Sequence, residues 1–303
     1  MWWLIIRETA QNFTRNERQN ASERRKILRR ALQNRMLILG LIVLIPIALM
    51  AIFAPALATD DPVKSDAMNR FAPPSSEHIF GTDDFGRDVY SRVIFGSRIS
   101  LRVGIFTAAV ASLAGVCIGA LAGYYKLADT LLMRTMEGLM AFPGVLLAII
   151  VMAALGPAES NVIIAMSLVY TPRIARLVRA IVLEVKVMEY IEAAKSYGAG
   201  DLRVLIKHIL PNSISPLMVQ ITFCFAWSVL VEAGLSFVGL GTPPPAPSWG
   251  TSVADGRTYV RTAPWMLFFP GVMIFLTVLS LNLLGDGLRD LLDPRMRNIQ
   301  HNT

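Results

Sequence analysis

Apolar residues fall along this chain in long blocks, separated by segments rich in charge, glycine and proline. About 20 residues of α-helix, rising 1.5 Å each, cross a hydrocarbon core of ~30 Å. Six blocks reach that length: 36–57, 99–124, 136–155, 161–182, 213–238 and 265–288. The pattern predicts an all-α integral membrane protein with six transmembrane helices. Pro46 is tolerable inside the first block, because neighbouring helices can satisfy the carbonyl it frees. Pro143 stands near the entrance of the third block, and Gly156-Pro157 ends it. Gly115, Gly119 and Gly123 repeat every fourth residue, a smooth stripe that lets another helix approach closely. Packing within the chain is favoured over a dimer seam.

The polar segments set the organisation and the orientation. An N-terminal arm, 1–35, carries Arg7, Arg15, Arg18, Arg24, Arg25, Lys26, Arg29, Arg30 and Arg35 against three glutamates. It reads as a cytoplasmic amphipathic arm, with Trp2 and Trp3 at the lipid interface. The first transmembrane helix, with its exit, is 36–58. Segment 59–98 carries Asp60, Asp61, Asp66, Glu77, Asp83, Asp84 and Asp88, and Pro73-Pro74 forbids a regular helix within it. Acids outnumber bases there, which suits the outer face. A five-helix core, 99–290, contains a polar cytoplasmic loop at 184–212 and a Gly/Pro-rich outer loop at 239–264. The tail, 291–303, returns to the cytoplasm with Arg295 and Arg297. Arg173, Arg176 and Arg179 share one helical face near the end of the fourth block and are expected to snorkel to the inner surface. Arg87, Arg92, Arg98, Arg257 and Arg261 fall outside, which weakens the bias without reversing it. Both termini are expected in the cytoplasm. The short apolar start, followed by arginines, is not a cleavable signal.

Composition agrees with a membrane protein. Of 303 residues, 54% are hydrophobic and 17% charged, against about a quarter charged in soluble domains. The net charge of +7 is compatible with nucleic-acid binding or with positive loops. The arginines cluster beside apolar blocks, so the second reading stands. Cys117 and Cys224 both lie inside apolar blocks and read as small buried hydrophobes rather than a disulfide or metal pair.

The most informative polar stretch runs Glu192-Ala193-Ala194-Lys195-Ser196-Tyr197-Gly198-Ala199-Gly200-Asp201-Leu202 and on to Leu210-Pro211-Asn212. Residues up to Tyr197 favour helix. Gly198 and Gly200 permit a sharp reversal, a second helix follows over 202–210, and Pro211 opens the next span. Ala193 and Ala194 keep one face thin. The result is a helix–turn–helix protruding on the basic side, suited to a soluble partner.

This loop resembles the EAA signature of permease subunits of bacterial ATP-binding-cassette importers. Glu192, Ala193, Ala194, Gly198, Leu210 and Pro211 match in register, while His208 stands where the pattern has Ile and Ile209 follows it. Three further stretches resemble the second, C-type permease of the dipeptide/oligopeptide/nickel branch. They are Gly81-Thr82-Asp83-Asp84-Phe85-Gly86-Arg87-Asp88 with Ser91, Arg92 and Gly96; Leu235-Ser236-Phe237-Val238-Gly239-Leu240-Gly241 leading to Pro247-Ser248-Trp249-Gly250; and Leu284-Gly285-Asp286-Gly287-Leu288-Arg289-Asp290 with Leu292-Asp293-Pro294-Arg295. The resemblance implies the type I importer permease fold. It also implies a heterodimer with a sister permease, two ATPase subunits that carry ATP-Mg, and an extracytoplasmic solute-binding protein. By the same resemblance, 192–200 enters the ATPase groove as the coupling element, and the chain sits in the inner membrane. Di- and oligopeptides are the cargo this branch implies first, with nickel chelates and glutathione-like solutes as alternatives.

The remaining chemistry is sparse. No GxxxxGK[ST] loop occurs, so ATP phosphates have no usual cradle in this chain. No grouping suits catalysis, and the chain reads as a non-catalytic subunit without a cofactor of its own. Glu232, late in the fifth span, is a weak pathway candidate; a structural partner for a neighbouring helix is the stronger reading. Asp286, Arg289, Asp290 and Asp293 suit either a salt-bridged cap or an ATPase contact. Glu137 can reach headgroups. Met133, Met136 and Met140 read as packing rather than a soft-metal path, and His78, His208 and His301 show no ligand spacing. Pro73-Pro74 and the prolines of 243–247 could shape a gate, a docking surface or a plain rigid loop. An ion-coupled secondary transporter is the rival reading, disfavoured because acids are almost absent from mid-span positions.

Overall fold

A computed structural model describes residues 30–292. Most of the N-terminal arm, with Trp2 and Trp3, lies outside the described residues, as do Asp293, Arg295, Arg297 and His301. The described chain is helical. Its long elements are α1 (Arg35–Ile52), α2 (Val89–Tyr124), α3 (Arg134–Met140), α4 (Gly144–Leu155), α5 (Glu159–Val185), α6 (Glu189–Ser196), α7 (Asp201–Val204), α8 (Ile214–Phe237), α9 (Trp249–Gly256) and α10 (Trp265–Leu292). Five helices, α1, α2, α5, the run 201–237 and α10, are long and apolar enough to cross a membrane, and a sharply bent pair brings the total to six.

The bent pair departs from the straight third span that the sequence predicts. Helix runs over Lys126–Met140, breaks, and resumes as Gly144–Leu155 at 93°. Pro143 sits at the break rather than inside a continuous helix. It has no N–H to donate back, and its ring disfavours helix at Phe142. The 12 residues of α4 span only about 18 Å. The second span differs in the other direction. α2 starts at Val89, ten residues before the apolar block at 99, because the Asp88 side chain caps it by accepting from the Ser91 N–H at 2.7 Å. Its 36 residues reach about 54 Å, well beyond the hydrocarbon.

The bundle is organised on the contact between α2 and α5, the most extensive between any two elements. Gly115, Gly119 and Gly123 all face α5. A Cβ at Gly115 would lie 2.6 Å from Ile174, one at Gly123 would lie 2.6 Å from Val182, and one at Gly119 would collide with the Ala175 carbonyl. The glycine stripe is thus a seam inside the chain. Around it Val103, Met152, Met166, Ile174, Val178 and Val182 form the main core. α1 is apolar all round yet buries only Gly40 and Ile47, leaving most of its surface for lipid or another chain. It is tied to α10 where the Asn34 amide donates to the Gly287 carbonyl at 3.3 Å.

One end of the bundle carries the loop 189–212; the other is closed by segment 59–88 and α9. At this capped end Trp249 is fully buried and its indole N–H donates to the Val93 carbonyl at 2.9 Å. Trp265 donates to the Thr82 carbonyl at 3.0 Å, and Phe80 stacks on Phe269. Arg87 and Arg92 join the segment to α9. The Asp83 carboxylate meets Arg87 Nε at 2.6 Å and Arg92 Nε at 3.5 Å, and Asp255 meets Arg92 at 3.3 Å and Arg87 at 3.5 Å. Burial pushes the Asp255 carboxyl above the usual carboxylate range, with Arg92 and Arg87 opposing. Asp84 is raised first by burial and then by the charge of Asp83.

Glu232 of α8 is fully buried and fastens the same cap. Its carboxyl accepts from Ser248 Oγ at 2.8 Å, Ser236 Oγ at 2.9 Å and Ser100 Oγ at 3.4 Å. These contacts with serines are what the structural reading of Glu232 expects. Ser100 in turn accepts from the Trp249 N–H at 3.2 Å, closing a polar knot among α2, α8 and α9.

Four substitutions test this packing. Gly119→Val should cost about 1–3 kcal/mol, as overpacking does, and lower the thermal midpoint in detergent. Gly138→Ala, where a Cβ meets nothing within 4 Å, should be neutral or slightly stabilising. Glu232→Ala should cost about 1–3 kcal/mol by stranding buried hydroxyls, and Glu232→Gln, which keeps an acceptor, should cost less; thermal unfolding of the purified protein reads both.

Candidate functional site

The loop 189–212 is built as a root and a tip. α6 begins with Glu189 and Glu192 in its first turn and ends with Lys195 in its last, each charge opposing the helix dipole. Gly198 follows at φ +84. Its N–H donates to the Lys195 carbonyl at 2.9 Å, and the Ala199 N–H to the Ala194 carbonyl at 3.1 Å. This is the Schellman arrangement, which needs a left-handed residue that glycine supplies without strain. A Cβ at Gly198 would meet nothing within 4 Å, so conformation alone restricts the position. α7 then turns back, and a π turn over Leu205–Ile209 and a 3-10 turn over Leu210–Ser213 lead into α8.

The root belongs to the bundle. Ile191, Val204, Leu205 and Ile209 are buried in the main core together with Val182 and Val185 of α5. Ile209, not His208, takes the core position; His208 is half-buried, and its carbonyl accepts from the Asn212 amide at 2.7 Å. At the end of α2 the Tyr124 hydroxyl donates to Asp201 at 2.6 Å, Lys195 lies over the Tyr124 ring at 5.3 Å, and Lys186 donates to the Gly123 carbonyl at 2.7 Å. The tip is free: Glu192, Ala193, Lys195, Gly198 and Gly200 are exposed, Ala194 and Ala199 half-buried, and Tyr197 is 94% exposed. Leu210 and Pro211 stand apart at the root, where the loop rejoins α8.

The second helical arm carries exposed residues that the motif does not include. Leu202 and Ile206 are 70% and 55% exposed, with Arg203 and Lys207 beside them. Their i, i+4 spacing is the signal by which an apolar docking stripe is recognised.

Other candidates scatter. Arg173, Arg176 and Arg179 do not form one snorkelling row. Arg179 makes a bidentate pair with Asp129, at 2.5 and 2.7 Å, because a carboxylate within reach outcompetes a headgroup. Arg176 meets the Met140 sulfur at 3.0 Å, and Arg173 turns toward Tyr170. Met133 and Met136 pack in a small cluster with Ala122 and Ala175. Cys224 is buried, but Cys117 is exposed on α2. Asp286, Arg289 and Asp290 are exposed and make no ion pair among the described residues. Glu137 is also exposed. The fold brings His78 to within 3.2 Å of Asp88 and near Asp60, a grouping that the sequence spacing does not suggest. Asp88 is already engaged there by the Ser91 N–H and the Thr59 hydroxyl.

Comparison with known proteins places the chain in a family. Residues 115–298 match the family described as binding-protein-dependent transport system inner membrane component. Residues 22–74 match the N-terminal TM domain of oligopeptide transport permease C. A Brucella abortus protein provisionally named a peptide transport system permease is 49% identical over 269 residues, covering 89% of this chain and 91% of that one. The dipeptide transport system permease of Alkalihalophilus pseudofirmus is 43% identical, covering 90% of each. The glutathione transport system permease of Pectobacterium atrosepticum is 47% identical, covering 74% of this chain and 75% of its own. In fold, the chain is similar to a chain of the inward-facing MetNI methionine ABC transporter, with a TM-score of 0.53 at 18% identity, over 67% of this chain and 97% of that one. With its apolar spans and the family match together, this chain belongs to the inner membrane components of binding-protein-dependent transport systems.

Proposed function

We propose that this chain is the channel-forming permease subunit of an ATP-driven importer of di- and oligopeptides. It forms half of the pathway, pairs with a sister permease, and receives two ATPase subunits on the loop 189–212. A solute-binding protein delivers cargo at the capped end, and both termini lie in the cytoplasm. ATP-Mg stays on the ATPase subunits. The observation that carries this reading is a protruding helix–turn–helix, buried at its root and exposed at its tip, on a sequence that contains no GxxxxGK[ST] loop.

The physical argument is one of leverage. A surface that only had to be soluble would not keep Tyr197, Leu202 and Ile206 exposed together. Ala193 and Ala194 admit a close-fitting groove, and the buried Ile191, Val204 and Ile209 carry any displacement of the tip into α5 and α8. The names of the relatives support peptide cargo, and that of the Pectobacterium relative supports a glutathione-like cargo as the second reading.

Ala194→Glu and Gly198→Arg should leave the protein in the membrane and lower ATP-driven import roughly tenfold or more, as disrupting a contact centre does. Transport at the normal rate by both variants, at normal expression, would sink the docking assignment. Purification of the tagged chain with its genomic neighbours should bring down a second permease and ATPase subunits in stoichiometric amounts. Recovery of the chain alone, with transport that persists in proteoliposomes without ATP, would mean a secondary transporter.

A further inference from the structure

Arg173 lies midway along α5, about 21 Å from Glu159 and about 18 Å from Val185. Its side chain is exposed, and it has no ion-pair partner among the described residues. Its neighbours on the helix are accounted for: Arg179 is held by Asp129, and Arg176 rests on Met140. A bare guanidinium facing lipid at this depth is costly, so such a group faces a protein partner or a water-filled path.

What surrounds it is a pocket rather than a flat face. The Arg173 guanidinium carbon sits 5.6 Å from the centre of the Tyr170 ring, which steadies it by cation–π attraction. Together with Gly144, Val145, Met166 and Trp227 the two line a cavity of about 130 Å³. Trp227 is 50% exposed, and its position on α8 puts it about 20 Å from Ile214, at a similar depth. The cavity lies where α4 restarts after the break at Pro143. It therefore offers one unneutralised cation, an aromatic wall and room for a single side chain.

Every unmodified linear peptide, whatever its sequence, ends in a carboxylate. A carboxylate is the group that a planar guanidinium binds in two parallel hydrogen bonds. This inference rests on the peptide-importer reading given above. We infer that Arg173 grips the C-terminal carboxylate of peptides in transit, while Trp227 and Val145 receive the last side chain.

The test uses the complete transporter, with its sister permease, ATPase subunits and binding protein, in proteoliposomes. The probes are a tripeptide and its C-terminal amide, chosen so that the binding protein holds both equally. At saturating loaded binding protein, Arg173→Gln should lower the maximal import rate of the free acid by about tenfold or more and leave the amide rate unchanged. Arg173→Lys should recover part of the loss, and Arg176→Gln should lose nothing. Equal slowing of both peptides by Arg173→Gln would overturn the assignment. So would failure of Arg173→Gln, but not Arg173→Lys, to co-purify with the sister permease, since the arginine would then be pairing with that subunit. Absence of ATP-dependent import of either peptide by the wild type would overturn the importer reading itself, and this assignment with it.

Discussion

Three glycines on α2 let α5 lie against it so closely that the Ala175 backbone occupies the place of a side chain at Gly119. In a lipid environment helices gain little from hiding apolar surface from one another, so close van der Waals contact has to supply the attraction. This contact sets the line of α5, and α5 carries most of what makes the protein distinctive. Its middle holds Arg173, its later turns hold the Arg179–Asp129 pair, and Val182 and Val185 at its end join the core that roots the loop 189–212.

The capped end is held by different physics. Asp83, Arg87, Arg92 and Asp255 are drawn together where burial raises the cost of each charge, so each charge is matched by another. Glu232, Trp249 and three serines form a second knot just beneath. Buried polar groups must find partners, and here the partners come from three elements distant in sequence. The cap thereby becomes part of the bundle rather than a loop above it. One end of the molecule is closed by specific polar contacts, while the other projects an exposed helical arm.

Much of this was legible along the chain. The apolar blocks predicted the five long membrane-crossing helices, because hydrocarbon thickness imposes a length that sequence must satisfy. The EAA stretch predicted the loop and its reversal, since only a glycine takes the left-handed turn at 198 without strain. Where the prediction slipped, a local signal had been outweighed. Arg92 and Arg98 hid the start of α2, which the Asp88 cap and the ion-pair cluster make possible. Pro143 stands near the entrance of the third apolar block, and the chain bends there by 93° instead of continuing as one helix.

Sequence alone therefore determined the membrane class, the apolar blocks, the glycine stripe and the reversing loop, because each depends on residues near one another in the chain. Tertiary structure decided which helix the glycines face, that Glu232 is hydrogen-bonded to the start of α9, and that three arginines at equal spacing meet a carboxylate, a sulfur and an open cavity. Those outcomes depend on which groups from distant segments come within a few ångströms, and spacing along the chain carries no record of that.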